Sequence, residues 1–418
     1  MTADRTSAGF KRRTRLAEAR TTLLEAVQRH GRTEQVPLTE ADGRAVAGTV
    51  SAPRAVPAYD RAAMDGWAVR AEDTFGASGR SPAVLRASDG AAVPNGAVRV
   101  QTGEELPDGA DAVVAVEGTE ELGTEVEVFD AVAAGENVGE TGEDVTAGQP
   151  LHEPPRRLRP SDLGLLKSVG LDTVEVFERP RVSVVPTGEE LVQADPRPGE
   201  TIETNGLTVS RLAERWGADA TYREVVTDDE DALAAAVERD LAHDVVVTTG
   251  GSSVGERDLV PDVVADLGEV LVHGVAVKPG HPVALGVVED TPVVMLPGYP
   301  VSCLVTAVQL LRPVLKRVGG LPAGPSPTRR ATLTGKVASE PGIRTFARVT
   351  LSDRSDRSDR SDPPGGDGPA LAADPVRASG AGVLSSVALA DGWVVVPESR
   401  EGVDAGDAVD VELWEVDE

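Results

Sequence analysis

Between residues 14 and 29 apolar side chains recur at helical spacing. Leu16, Ala19, Leu23, Leu24 and Val27 share one face, which predicts an amphipathic helix at the start of the fold. The period then changes. From about 46 to 149 short β-type runs (AVRVQTG, DAVVAVEG, EVEVFDAV) alternate with Gly, Pro and Asp turns, the pattern of a β-rich module. A proline-rich lead-in, HEPPRRLRPSDLGLLKSVG, carries a helix with Ser161 or Asp162 as its cap.

Residues 179–320 read differently again. RVSVVPTG is a buried-type strand, NGLTVSRLAERWG a helix capped at Asn205, and ATYREVV a strand. DDEDALAAAVERDLA is a helix with Leu233, Val237 and Leu241 on one face, and DVVVTTGG is a strand with a glycine-rich exit. A last helix runs from Val301 to about Lys316. Alternating strands and helices with apolar strands predict a parallel α/β sheet covered on both faces. Beyond about 325 helical periodicity stops, and ATLTGKV, RTFARVTL, GWVVVPE and AVDVELW predict a small β-barrel or sandwich. The repeat SDRSDRSDRSDPPGGDGP at 352–369 has no apolar residue to bury, so it is expected to be a disordered hairpin insertion.

A chain of 418 residues with 40% hydrophobic residues can build several cores. No run approaches the roughly 18 apolar residues of a membrane span, and the basic start MTADRTSAGFKRRTR has no apolar core behind it. A cytoplasmic protein is expected. Cys303 is alone, which excludes an internal disulfide and a cysteine zinc cluster, and the five histidines form no HExxH-like pair. Any metal should therefore be a hard ion held by oxygen.

The net charge of −28 comes with nearly all basic residues as arginine. Such a surface suits molar salt, where the Debye length is only about 3 Å, and points to halophilic adaptation. It also argues against nucleic acid, which needs basic patches.

Within the α/β region DVVVTTGGSSVGERD (244–258) carries a strand into two glycines, small hydroxylated residues and a helix start. Gly250 and Gly251 let backbone approach a ligand, free N–H groups attract anions, and Ser252 and Ser253 add donors. Asp258 stands one turn in, where it can hold a cation. LPGYPVS (296–302) repeats the arrangement, with Gly298 allowing close approach and Ser302 a donor. Between them, in KPGHP, Lys278 ends a β-type run as a phosphate partner. All three elements fall at strand ends, where open α/β sheets bind ligands. They describe an extended, phosphate-bearing ligand. Glu189 and Glu190 in PTGEEL and Asp228 and Asp229 in TDDED supply carboxylates nearby. Either aspartate alone reads as a helix cap, but carboxylates beside phosphate suggest Mg²⁺.

TTGGSSVGERD, KPGHP and LPGYPVS, in this order, resemble the molybdopterin-binding domain of the molybdopterin molybdenumtransferases, the family that includes the E domain of gephyrin. YDRAAMDGWAV (59–69), QTGEELPDGADAVV (101–114) and GENVGETGEDVTAG (135–148) resemble its other signatures. GIRTFARVTL and SGAGVLSSVALADGWVVVPE resemble its carboxy-terminal β domain. The resemblance spans nearly the whole chain. It implies an α/β multidomain protein in four parts: an elongated helical segment (1–45 with 150–178), a β module (46–149), a parallel α/β ligand domain (179–326) and a β-barrel (327–418).

The resemblance further implies a homodimer with an active site between the α/β domain of one subunit and the β module of the other. Asp65, Thr102, Asp144, Glu190, Asp228, Asp258, Lys278 and Arg348 are the functional positions carried over residue by residue. The implied reaction takes adenylylated molybdopterin and molybdate to molybdenum cofactor and AMP, with Mg²⁺ on Glu190, Asp228 and Asp258. Asp65 and Asp144 would orient water or molybdate, and Thr102 with the serine loop would donate to molybdate. Many relatives carry lysine at the positions of His281 and Gly274, asparagine at Tyr299, and serine near Ala381 or Ser379. A molybdopterin adenylyltransferase shares the glycine loop but lacks the MDGWAV half. A non-catalytic molybdate-binding scaffold is the reading from another class, and retention of the carboxylates weighs against it.

Overall fold

The computed structural model describes residues 13–251, 259–353, 369–376 and 382–416. It divides into two compact units, 1–33 with 177–418, and 34–176.

In the larger unit a six-stranded sheet has the order Asp219–Tyr222, Arg181–Pro186, Val245–Thr249, Thr291–Leu296, Ala284–Val288, Glu269–His273. The first four strands are parallel, and the last two are added antiparallel. The sheet is therefore mixed, because a tight turn at Glu289 (φ 53°) returns the chain directly where a parallel neighbour would need a crossover helix. Every residue of Val245–Thr249 is buried, as a central strand covered on both faces should be.

Helix Leu16–Ala26 buries Leu16, Ala19 and Leu23 in the same core as Val247, Leu296 and Leu311. The expected last helix is interrupted. Pro300–Thr306 passes into a π-turn at Ala307–Leu311 before helix Arg312–Val318. Pro313 explains the wide turn: it has no N–H, and its ring clashes with a regular preceding turn.

The carboxy-terminal strands Arg344–Asp353, Leu371–Pro375, Thr328–Leu333, Ala408–Glu412 and Gly392–Val396 close into a five-stranded barrel, the last pairing with the first. A barrel, and not a sandwich, is formed. Asp353 pairs with Leu371 across an antiparallel ladder, so the repeat joins two neighbouring strands. Its residues 354–368 lie outside the described residues.

The smaller unit holds a six-stranded sheet ordered Ala112–Ala115, Gly66–Val69, Gly96–Val100, Ala83–Ser88, Glu125–Val128, Thr119–Leu122. A second core of Val36, Leu38, Val46, Leu158, Leu166 and Val176 surrounds helix Pro160–Ser168. Arg159, and neither Ser161 nor Asp162, precedes the first turn. Asp162 sits inside the helix and accepts from the Arg159 N–H at 2.9 Å. Burial pushes this carboxyl up, but hydrogen bonds from Arg159 and Arg156 outweigh it and hold it well below the usual range.

Candidate active site

Register builds the site in the larger unit. Pro186 stands opposite Thr249, and Thr249 opposite Leu296, so three parallel strands end in one row. Their exits are stitched together. The Thr187 N–H donates to the Thr249 carbonyl at 2.9 Å and the Gly250 N–H to the Leu296 carbonyl at 3.1 Å. On the other side the Val226 N–H donates to the Pro186 carbonyl at 2.8 Å, which brings Thr227 and Asp228 beside Thr187 and Gly188. The segments that the sequence offers separately as TGEEL, TDDED, TGG and PGYP are thus adjacent at the carboxyl edge of one sheet, where ligands of open α/β sheets bind.

The close packing of these exits requires glycine. Gly250 (φ 106°) and Gly251 (φ 64°) are left-handed. A Cβ on Gly250 would stand 2.2 Å from the Thr187 carbonyl oxygen, and one on Gly251 2.9 Å from Thr187 Oγ1. A Cβ on Gly298 would lie 3.4 Å from Gly250 Cα, so the two glycine loops touch. Beneath them the hydroxyls of Thr187, Thr248 and Thr249 are buried without a hydrogen-bond partner. Ser252, Ser253 and Asp258 lie outside the described residues.

Asp228 and Asp229 separate cleanly. The Asp229 carboxylate caps helix Glu230–Asp240, accepting from the Ala232 N–H at 2.9 Å. Asp228 caps nothing, and its Oδ1 is buried with no partner. An orphaned carboxylate oxygen is costly unless a donor or cation occupies it. Glu190 is exposed, its carboxylate folded over Gly188 where a Cβ would come within 2.8 Å of it. Among the described residues no group of three or more His, Cys, Asp or Glu could hold a metal. The open Asp228 oxygen has the chemistry to offer one ligand to a hard cation that takes the others from substrate oxygens and water.

Lys278 does not stand at the end of an α/β-sheet strand. Its strand Val277–Lys278 does not belong to the α/β sheet but pairs in parallel with Arg344–Thr345 of the barrel. The ammonium donates to Glu340 Oε1 at 2.9 Å, and Glu340 is held below its usual pKa by that bond. Arg348, on the same barrel strand, donates from Nη1 to Ser386 Oγ at 2.8 Å, and burial lowers its pKa. Burial, aided by the charge of Arg13, lowers the pKa of the His281 imidazole. Gly274 takes a left-handed φ of 87°. Ala381 and Ser379 lie outside the described residues.

Asn205 does not cap its helix. Thr204 precedes Asn205–Arg215, and Glu203 Oε1 accepts the Gly206 N–H at 2.7 Å in its place. The Asn205 amide instead donates to the Gly298 carbonyl at 2.7 Å. An amide at a helix start looks like a cap in one dimension, so only the fold reveals it as a strut for the PGYP loop. Ser302 is buried in the first turn of the helix that follows this loop.

In the smaller unit the three signatures close into one cluster. The Gly103 N–H donates to the Ala62 carbonyl at 2.8 Å, the Leu106 N–H to Asp60 at 2.7 Å and the Ala63 N–H to Asn137 at 2.9 Å. Asp65 Oδ1 accepts both the N–H and the hydroxyl of Thr102, each at 2.8 Å. Those two bonds, backbone first, hold the Asp65 carboxyl below the usual range. Asp144 is exposed on the 141–145 loop, its N–H donating to the Val56 carbonyl at 3.0 Å. No helix among the described residues is long and apolar enough to cross a membrane.

Residues 14–170 match the model of the MoeA N-terminal region (domains I and II), 183–317 that of a probable molybdopterin binding domain, and 330–414 that of the MoeA C-terminal region (domain IV). The chain is 34% identical over 406 residues to a putative molybdopterin biosynthesis protein of Methanocaldococcus jannaschii, covering 94% of each. It is 32% identical to molybdopterin molybdenumtransferase 2 of Mycobacterium tuberculosis, over 91% of this chain and 94% of that one. The crystal structure of a molybdopterin biosynthesis MoeA protein from Pyrococcus horikosii superposes with a TM-score of 0.83 at 34% identity, over 97% of this chain and all of that one.

Proposed function

Since the chain belongs to the MoeA family of molybdopterin molybdenumtransferases, we propose that it completes molybdenum cofactor by inserting molybdate into adenylylated molybdopterin and releasing AMP. The observation that carries this reading is the common row of Pro186, Thr249 and Leu296. It sets two glycine loops and an unpartnered Asp228 oxygen at one sheet edge. A phosphate-bearing ligand laid along that edge meets backbone N–H groups, which favour anions.

In this proposal Gly250, Gly251 and Gly298 let the ligand approach, and Ser252, Ser253 and Ser302 donate to it. Lys278 and Arg348 offset its charge. Glu190, Asp228 and Asp258 would hold Mg²⁺, which when bound supplies charge neutralisation at phosphate oxygens as the pyrophosphate bond breaks. Thr102 orients Asp65 through two hydrogen bonds, and Asp65 with Asp144 positions water or molybdate. The site is completed in a cytoplasmic homodimer, the β module of one subunit serving the α/β domain of the other. The chain is built in four parts: a β module (46–149), a ligand domain (179–326), a β-barrel (327–418), and a helical segment made of 1–45 and 150–178.

The test incubates purified protein with adenylylated molybdopterin, Mg²⁺ and either molybdate or tungstate. Oxyanion-dependent AMP release, with activation of a molybdenum-free apoenzyme, is expected. A folded dimer that releases no AMP at any KCl concentration overturns the reading. Formation of adenylylated molybdopterin from ATP and molybdopterin would instead identify an adenylyltransferase.

A further inference from the structure

Tyr299 is 63% exposed in a chain with only three tyrosines. A single exposed aromatic is ordinary on a protein surface, so its setting decides what it means. Tyr299 directly follows Gly298, the residue in contact with Gly250, and directly precedes Pro300, the first residue of helix Pro300–Thr306. Its backbone is pinned on both sides. Asn205 Nδ2 holds the Gly298 carbonyl at 2.7 Å, and the Cys303 N–H holds the Tyr299 carbonyl at 2.8 Å. The ring also lies near Gly382, where a Cβ would stand 3.4 Å from Tyr299 Cδ1. The backbone that carries this exposed ring is thus fixed beside the two glycine loops.

Charge shows what such a ring could add. Lys278 is already bonded to Glu340, His281 is driven towards its neutral form, and the chain carries −28. Stacking on an aromatic face is insensitive to net charge, and apolar burial strengthens in some salts. We propose that Tyr299 is a stacking platform for a flat heteroaromatic ring of the substrate, and so a specificity-determining residue. The inference rests on the reading of this edge as the substrate site. Pterin and adenine share the required chemistry.

The test compares wild type with Tyr299→Asn, Tyr299→Phe and, as a remote exposed-aromatic control, Phe75→Ser. AMP and a soluble pterin are titrated separately at 0.1 M and 1 M KCl, and AMP release is measured with the full substrates. Tyr299→Asn should raise KM for adenylylated molybdopterin about ten-fold, the scale of one lost stacking contact, with kcat and the molybdate KM unchanged. Tyr299→Phe should restore it, and the loss should persist at 1 M KCl. Weakened AMP binding assigns the platform to adenine, and weakened pterin binding assigns it to pterin. Unchanged affinity for both, or equal loss in Tyr299→Phe, overturns the proposal. A wild type that binds these probes but releases no AMP counts against the reaction and leaves the stack standing.

Discussion

Arg20 Nε donates at 3.0 Å to the backbone carbonyl of Gln309, and its Nη2 donates at 2.7 Å to the Gln309 side-chain oxygen. Gln309 lies four residues before Pro313, the residue with no N–H to offer that carbonyl. A side chain from the first helix therefore supplies the donor that proline removes from the last. Burial, the largest influence on this guanidinium, lowers its pKa, as expected of a charge withdrawn from water. Arg20→Ala should cost about 2 kcal/mol in urea unfolding, the scale of hydrogen bonds from a charged donor. Pro313→Ala should lessen that cost in a double-mutant cycle; additive effects would show that the two are independent.

Asp228→Asn and Asp229→Ala should part company. The first leaves the cap intact and should abolish AMP release from a folded dimer. The second removes the bond to the Ala232 N–H and should cost about 1 kcal/mol of stability while AMP release continues. Near-normal turnover by Asp228→Asn would remove it from the site.

The Asp65–Thr102 pair has a pH signature. Because its folded pKa is depressed, the contribution of this carboxylate is present above its unfolded pKa and is lost as pH falls through the folded value. Thr102→Val removes one of the two donors, so the Asp65 carboxyl should titrate at higher pH, as read from its side-chain chemical shift. An unmoved titration would mean that the hydroxyl does not matter.

Asp240 is fully buried between Arg223, Arg239 and Ser183. Burial raises its pKa, but bonds from Arg239, Arg223 and Ser183 prevail and lower it to about 2. The stability it adds should hold above the ordinary carboxylate range and fade as pH drops towards 2. Asp240→Asn leaves two arginines uncompensated and should cost about 3 kcal/mol at pH 7, with a flatter acid limb in the melting profile. A variant as stable as wild type at pH 7 would contradict this.

A charge of −28 repels itself over roughly 30 Å at 0.01 M salt but only about 3 Å at 1 M. Melting temperature, dimerisation and AMP release should all rise with KCl from tens of millimolar towards molar. An optimum at low salt, measured by melting, light scattering and AMP release on one preparation, would refute the halophilic reading.

The sequence by itself determined the elements and the chemistry they carry. Leu16, Ala19 and Leu23 mark a helical face because a 3.6-residue period is local. TTGG marks a strand exit because glycine's backbone freedom is a property of the residue. Register and pairing depend on partners far along the chain, and one-dimensional pattern does not encode them. Tertiary structure alone aligned Pro186, Thr249 and Leu296, moved the strand of Lys278 to the barrel and turned Asn205 from a cap into a strut for Gly298. It likewise gave the cap to Asp229 and left the Asp228 oxygen open. Two adjacent aspartates look alike in sequence, and which of them finds a backbone N–H depends on how the helix start sits against its neighbours.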